Sequence, residues 1–228
     1  MSIARTSATN RQERQREILD YVMQIGSISA TDLAERFGRS LMTIHRDLED
    51  LSSRGLLRKF HGGVSALPTS VFESSSDFRM QRNTLGKKAM AAEALKFIEP
   101  GMSVMLDDST TVLALARLLA DVGPLTVLTN YRRVVELFID NPDINLIVIG
   151  GTYSKTHDSF IGAPSQTGLD TYAVDVVFQS TSTMDSVMTY HQEQDIVLMK
   201  RTMLQAGARR VLMMDNSKVG HTSLHRYV

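Results

Sequence analysis

Apolar residues recur at helical spacing near the start of the chain. Ile18, Val22 and Ile25 share one face beside Leu19 and Met23, which predicts a helix over about 11–25 stopped by Gly26. Ser29-Ala30-Thr31-Asp32 then forms a capping-box pattern, in which the Ser29 hydroxyl accepts from the Asp32 amide and the Asp32 carboxylate reaches back. It opens a short second helix ending near Phe37-Gly38. Ser40 caps a third, with Leu41, Ile44, Leu48 and Leu51 turned inward, Met42, Thr43, His45 and Arg46 turned outward, and Gly55 as its stop. The following LLRKFHGGVSA alternates apolar and basic residues and breaks at Gly62-Gly63, which predicts a β-hairpin. Three helices with a tight turn between the second and third, followed by a basic hairpin, describe a winged helix-turn-helix over residues 1–66. A plain helical bundle is the alternative, but it leaves unexplained why the outward face of 40–46 and the hairpin are both basic and rich in hydrogen-bonding groups.

The pattern changes twice more. Residues 67–86 are rich in serine and turn formers and read as a linker. From Lys87 to Val228 helices alternate with short apolar strands: a helix over 87–98, strands at 103–106, 125–128 and 145–149 separated by helices at 112–119 and 134–140, then a strand at 175–178, a helix at 196–206 and a strand at 210–214. That alternation predicts an α/β domain, a mostly parallel sheet with helices on both faces.

Composition narrows the class. The 228 residues are 43% hydrophobic and 22% charged, ordinary for a globular protein, and the absence of cysteine excludes disulfides and cysteine-ligated metals. The N-terminal residues carry no apolar signal core and no apolar run is long enough to span a bilayer, so a cytoplasmic protein with no membrane partner is expected. Net charge is zero, and residues 1–64 hold ten Lys/Arg against eight Asp/Glu, so charge by itself does not decide for nucleic acid.

Placement of side chains is more informative. A recognition helix entering the major groove would present Ser40, Met42, Thr43, His45 and Arg46 to base edges, and an arginine such as Arg46 can hold guanine O6 and N7 bidentately. Arg39, Arg58, Lys59 and His61 would neutralise backbone phosphates. In the second domain three loops follow strand ends, where open α/β sheets bind ligands. Asp107, Asp108, Ser109, Thr110 and Thr111 lead into a helix N-terminus, Thr129-Asn130 follows the next strand, and Gly150-Gly151 the one after. Each alone is ordinary capping chemistry; at one sheet edge they predict a polar, anionic ligand.

These residues also carry a family resemblance. Thr43-Ile44-His45-Arg46-Asp47-Leu48 and Gly55-Leu56-Leu57-Arg58-Lys59-Phe60-His61-Gly62-Gly63 resemble the DeoR family's T-I-R-R-D-L helix and G-x-(hydrophobic)-x-R-x-H-G-G wing, departing at His45, usually arginine, and at Arg39, usually valine. The second half is similar to the family's effector domain through Asp107 to Thr111 (Asp108-Ser109 replacing S-G), Thr129-Asn130, Gly150-Gly151, Phe160-Ile161-Gly162, Lys200-Arg201-Thr202-Met203 and Asp215-Asn216-Ser217-Lys218. The resemblance implies a fold like ribose-5-phosphate isomerase and a transcriptional regulator, a repressor of a carbohydrate-utilisation operon. Its partners would be operator DNA and a phosphorylated sugar, in a homo-oligomer, dimer or tetramer, with no cofactor. It adds Gly162, Lys200 and Lys218 to the expected effector contacts. Relatives continue past this C-terminus, so the effector domain is either truncated or has a shortened last edge.

An isomerase joined to a DNA-binding domain is the competing reading. Such isomerases carry an acidic loop where this chain has Gln179-Ser180-Thr181-Ser182-Thr183-Met184-Asp185, hydroxyls in place of a base, so no enzymatic activity is expected. His191-Gln192-Glu193 resembles a zinc deaminase H-x-E, but no cysteine completes such a site. His157, His221 and His225 read as ordinary polar positions.

Overall fold

A computed structural model describes residues 2–53, 56–66, 76–162 and 168–228. The chain divides into two compact units, residues 1–75 and 76–228.

In the first unit, α1 (Ser2–Ile25) is followed by β1 (Ser27–Ser29), α2 (Ala30–Phe37), α3 (Leu41–Ser53), β2 (Leu57–Phe60) and β3 (Gly63–Ala66). Ile18, Leu19, Val22, Leu33, Ile44, Leu48, Leu51 and Val64 are buried, so the periodic faces of the helices meet as their spacing requires. Ser29 caps α2 by accepting from the Asp32 amide at 3.0 Å, and Gly38, at φ 58, closes it in the left-handed region that a side chain disfavours. Ser40 Oγ accepts from the Thr43 amide at 3.2 Å and starts α3. The hairpin is one strand larger than the sequence indicates: β1 pairs antiparallel with β3, giving the order β1-β3-β2. A Cβ on Gly63 would stand 2.4 Å from the Ile28 carbonyl oxygen, so the close approach of β1 requires glycine there. The expected stop at Gly55 lies outside the described residues.

Two side chains of α3 differ from expectation. Leu41, expected inward, is 45% exposed. It occupies the first position of α3, and burial along that face starts one turn later at Ile44. Asp47 is instead buried, held by Arg14 Nε at 2.6 Å and Nη2 at 3.2 Å and by Gln15 Nε2 at 3.1 Å. This carboxylate fastens α3 to α1.

The second unit begins inside the expected linker. Residues 67–75 of that stretch lie outside the described residues, whereas α4 (Ser76–Gln81) and the start of α5 (Thr84–Leu95) are helical, with Asn83 accepting from the Gly86 amide at 3.2 Å. Then come β4 (Ser103–Leu106), α6 (Thr110–Leu119), β5 (Leu125–Thr129), α7 (Arg132–Phe138), β6 (Ile144–Val148), β9 (Val174–Gln179), α8 (Gln194–Ala206) and β12 (Gly207–Leu212). The strands form one parallel sheet in the order β12-β9-β4-β5-β6. One face packs on Ala91, Val112, Leu115, Leu119, Val134 and Phe138, the other on Met199, Met203 and Leu169, so helices cover both faces as expected of near-continuous apolar strands. Two small antiparallel additions were not read from the sequence: the hairpin β7 (Thr152–Ser154) and β8 (Ser159–Ile161), and a sheet of β10 (Thr183–Met184), β11 (Thr189–His191) and β13 (His225–Arg226). Among the described residues no helix is long and apolar enough to cross a membrane.

Asp47→Ala strands the Arg14 guanidinium and Gln15 against the core, and removing one partner of a buried pair costs about 3 kcal/mol. Denaturant unfolding of the N-terminal unit should register that loss, and Arg46→Ala on the opposite face of α3 should not.

Candidate functional site

The DNA-facing candidates lie on the surface of the first unit. Met42 is 65% exposed, His45 and Arg46 are exposed along α3, and Arg39 and Ser40 are exposed in the turn before it. Thr43 is half-buried, its hydroxyl 2.9 Å from that of Ser40. Arg58 and Lys59 project from β2 and His61 from the turn after it; Lys59 forms an ion pair with Glu49 of α3. The turn, helix and hairpin thus present the expected residues on exposed positions, Thr43 excepted.

In the second unit the sheet changes direction between β4 and β9, since later strands extend from β5 on one side and from β9 on the other. Loops that leave a sheet at such a point diverge and open a crevice at the strands' C-terminal ends. Asp107 stands there, fully buried. Its Oδ1 accepts from the Ser109 amide at 3.0 Å, and its Oδ2 accepts from the Ser180 amide at 2.9 Å and from Lys200 Nζ. Lys200, also buried, donates to the Ser180 carbonyl at 2.9 Å. Burial works against the Lys200 charge, but Asp107, with Tyr227 and Asp108, outweighs it and holds the ammonium above its ordinary pKa. Lys200 and Asp107 are therefore an internal strut between the loops after β4 and β9. Ser109, so placed, caps α6 by accepting from the Val112 amide at 3.1 Å.

Thr129 and Asn130 end the neighbouring strand. Thr129 Oγ1 accepts from the Tyr131 amide at 3.1 Å, and Asn130 Nδ2 donates to the Phe160 carbonyl at 3.0 Å. Among the described residues Asn130 Oδ1 and Ser180 Oγ are buried and find no hydrogen-bond partner, a costly state for polar atoms unless something else supplies a donor. Thr110 and Thr111 are buried in the first turn of α6. Gly150 and Gly151 are exposed beyond the edge strand β6, which β5 separates from β4; Gly162, at φ 112, follows β8. Lys218 donates to the Thr181 carbonyl at 2.7 Å from a 3-10 turn, Asn216–Lys218.

A second group was missed in the sequence. Asp108 is buried, accepts from the Ser159 hydroxyl at 2.7 Å, and stands 3.9 Å from Lys200 Nζ. Burial alone would raise its pKa; Lys200, His157, Arg79 and the Ser159 bond together hold it below the ordinary 3.8. His157, read from the sequence as an ordinary polar position, and His191 of the H-x-E spacing are 2% and 5% exposed with ring centroids 6.0 Å apart. His157 Nε2 lies 2.9 Å from a Glu193 carboxylate oxygen, and His191 Nδ1 accepts from the Glu193 amide at 3.2 Å. Burial first, then Lys200, His157 and Arg79, push the His191 pKa far down, so this ring is neutral and protonated on Nε2. Ser159 and His157 belong to the β7–β8 hairpin, which is fixed on its other side by the Phe160 amide to the Asn130 carbonyl at 2.9 Å and by Asp158, gripped by Arg132, Arg133 and Tyr153. The available signals were Asp108, at a departure from the family pattern, and the H-x-E spacing. Among the described residues no group of His, Cys, Asp and Glu is arranged to hold a metal ion.

An exposed helix-turn-helix with a hairpin wing and a separate parallel-sheet unit whose strands end in polar loops at a switch point define a class of two-unit transcription regulators. Residues 14–70 match the DeoR-like helix-turn-helix domain and residues 82–228 the DeoR C terminal sensor domain. The chain belongs to the DeoR family of transcriptional regulators. It is similar to the HTH-type transcriptional regulator YulB of Bacillus subtilis (33% identical, 92% of this chain and 81% of the relative), the L-fucose operon activator of Haemophilus influenzae (32%, 91% and 83%) and the HTH-type transcriptional regulator GlpR of Haloferax volcanii (30%, 94% and 84%). Among solved structures it is similar to a D-ribose-5-phosphate isomerase in complex with phospho-erythronic acid, at 18% identity and a TM-score of 0.44 over 59% of this chain and 53% of that one.

Lys200→Met leaves Asp107 buried without its counter-ion and should lower stability by about 3–5 kcal/mol. Combined with Asp107→Asn, the loss should be smaller than for Lys200→Met alone, because no uncompensated charge remains. Thermal or denaturant unfolding of the three variants measures the coupling.

Proposed function

We propose that the chain is a cytoplasmic repressor of a carbohydrate-utilisation operon, with a DNA-binding domain over 1–66 and an effector domain over 87–228 joined by 67–86, of which 76–86 folds with the effector unit. It binds operator DNA as a dimer or tetramer and changes its affinity when the effector domain takes up a phosphorylated sugar. Arg46 and His45, with Met42, Thr43 and Ser40, read base edges; Arg39, Arg58, Lys59 and His61 contact phosphates. The sugar phosphate is held among Asp107, Ser109, Thr110, Thr111, Thr129, Asn130, Gly150, Gly151, Gly162, Lys200 and Lys218, with Asp107 and Lys200 setting the loop geometry.

The observation that supports the ligand is a pair of buried polar atoms at the C-terminal ends of the strands, Asn130 Oδ1 after β5 and Ser180 Oγ after β9, which find no hydrogen-bond partner among the described residues. A polyhydroxylated molecule supplies donors and acceptors to such atoms, and the ordering it brings is what a sensor converts into altered DNA affinity. The loop from Ser180 to Thr183 offers hydroxyls where proton abstraction from a sugar needs a carboxylate, which favours sensing over turnover.

Full-length protein should rise in melting temperature with one or a few members of a panel of phosphorylated sugars, with no product formed. Product formation supports the isomerase reading instead, and no response to any member overturns the sensor. Arg46→Ala should lower specific operator affinity by about 1–3 kcal/mol while the panel response stays unchanged, read by a DNA-binding titration at fixed salt.

A further inference from the structure

Leu41 and Met42 stand side by side at the start of α3, 45% and 65% exposed. Burial along α3 begins at Ile44, so the core of the first unit makes no use of either side chain. Their surface neighbours are polar or cationic: Arg39 and Ser40 precede them, and His45 and Arg46 follow one helical turn later. A lone exposed leucine or methionine is ordinary. Two in succession, in the middle of the patch assigned to DNA, are explained neither by packing nor by solubility.

Helix geometry limits what they can touch. Cα–Cβ bonds tilt toward a helix's N-terminus, so Leu41 and Met42 lean ahead of α3, at the end that meets base edges when a recognition helix docks. Met42 shares a face with His45 and Arg46 at spacings of three and four, and Leu41 with His45 at four. Backbone phosphates offer nothing to aliphatic side chains. The major groove presents hydrogen-bonding groups at every base and, at thymine, a C5-methyl group that is apolar. Set against the amino group of adenine or cytosine, Leu41 or Met42 would strip water from a donor and give no acceptor in return, which is unfavourable. Set against a methyl, each buries apolar surface on both partners. Met42, unbranched and flexible, can adjust to the methyl of an adjoining base pair.

We propose that Leu41 and Met42 form an apolar contact for the C5-methyl groups of thymine in the operator. Arg46 follows about 6 Å further along the helix axis, close to two base-pair steps of about 3.4 Å, which sets the thymine within about two base pairs of the one Arg46 reads. This rests on the operator reading above and narrows it from a set of exposed residues to a base class and a spacing.

The experiment uses the full chain and a duplex that it selects from a random-sequence pool, titrated at fixed salt. Replacing thymine by deoxyuridine, one position at a time, removes a methyl and leaves every hydrogen-bonding group in place. Wild type should lose about fourfold in affinity at one or two positions, the binding ratio that corresponds to one buried methyl group. The dependence of affinity on salt should stay the same, because a methyl contact releases no counterion. Leu41→Ala and Met42→Ala should each lose part of the difference between thymine and deoxyuridine, and the double variant all of it, whereas Met42→Leu should keep it. Both positions are exposed, so the melting temperatures of these variants should match wild type. A selected duplex whose binding depends on Arg46 but is indifferent to deoxyuridine at every position overturns the proposal and leaves the operator reading standing. A deoxyuridine penalty of equal size in wild type and the double variant also overturns it, and gives the methyl to another side chain. A double variant that keeps the penalty but changes its oligomeric state in sedimentation overturns it by assigning the two residues to contact between copies. Failure of the full chain to select any sequence overturns the proposal together with the operator reading.

Discussion

The ion pair of Asp107 with Lys200 is the constraint on which the second unit's site depends. Its partners come from α8 and the end of β4, 93 residues apart in sequence, and both also bond the backbone of Ser180 after β9. Taking two charges out of water is expensive, and such a pair adds little net stability compared with an apolar replacement. What it supplies is position. With the carboxylate fixed, the Ser109 amide and hydroxyl are fixed, α6 starts where it does, and the two loops flanking the crevice keep one spacing. The hydroxyl-rich residues after β4 and β9 are held beside one another because the buried pair bonds the backbone of both loops.

The β7–β8 hairpin extends this framework across the crevice. Ser159 reaches Asp108, His157 reaches Glu193 ahead of α8, and Phe160 and Asp158 fasten the hairpin to the segment after β5. In the first unit Asp47 has the equivalent part: a buried carboxylate fixes α3 to α1, so that the opposite face, with His45 and Arg46, can stay exposed. Each unit thus spends a buried charge to aim a polar surface.

Much of this was legible in the sequence, for an identifiable reason. Helices α2 and α3, and strands β4, β5, β6 and β9, have apolar spacing set by local geometry, and Ser29, Ser40 and Gly38 mark their ends. The loops after β4 and β5 followed from the rule that parallel strands deliver ligand residues at their C-terminal ends. The antiparallel additions were hidden because strands of two or three residues are too short for an alternation to register. The group of Asp108, Ser159, His157, His191 and Glu193 was hidden because, apart from the H-x-E pair, its members meet across 36 to 51 residues, Ser159 on Asp108 and His157 on Glu193. Arg79 was obscured by a serine-rich neighbourhood that resembles a linker by composition, although α4 is helical. Leu41 shows the reverse failure: it has the right period, but burial on that face begins one turn further on.

The strand order has a consequence for the nascent chain. β4 is central, but β9, its partner on one side, follows after a separation of 72 residues, as Ser103 and Asp175 show. A ribosome adding about 5–20 residues per second exposes that flank of β4 for roughly 4–14 seconds before β9 emerges. During that interval Val104 and Leu106 have β5 on one side only, and the carboxylate of Asp107 has neither Ser180 nor Lys200. The half-made sheet is therefore the species that most needs shielding from association with other chains.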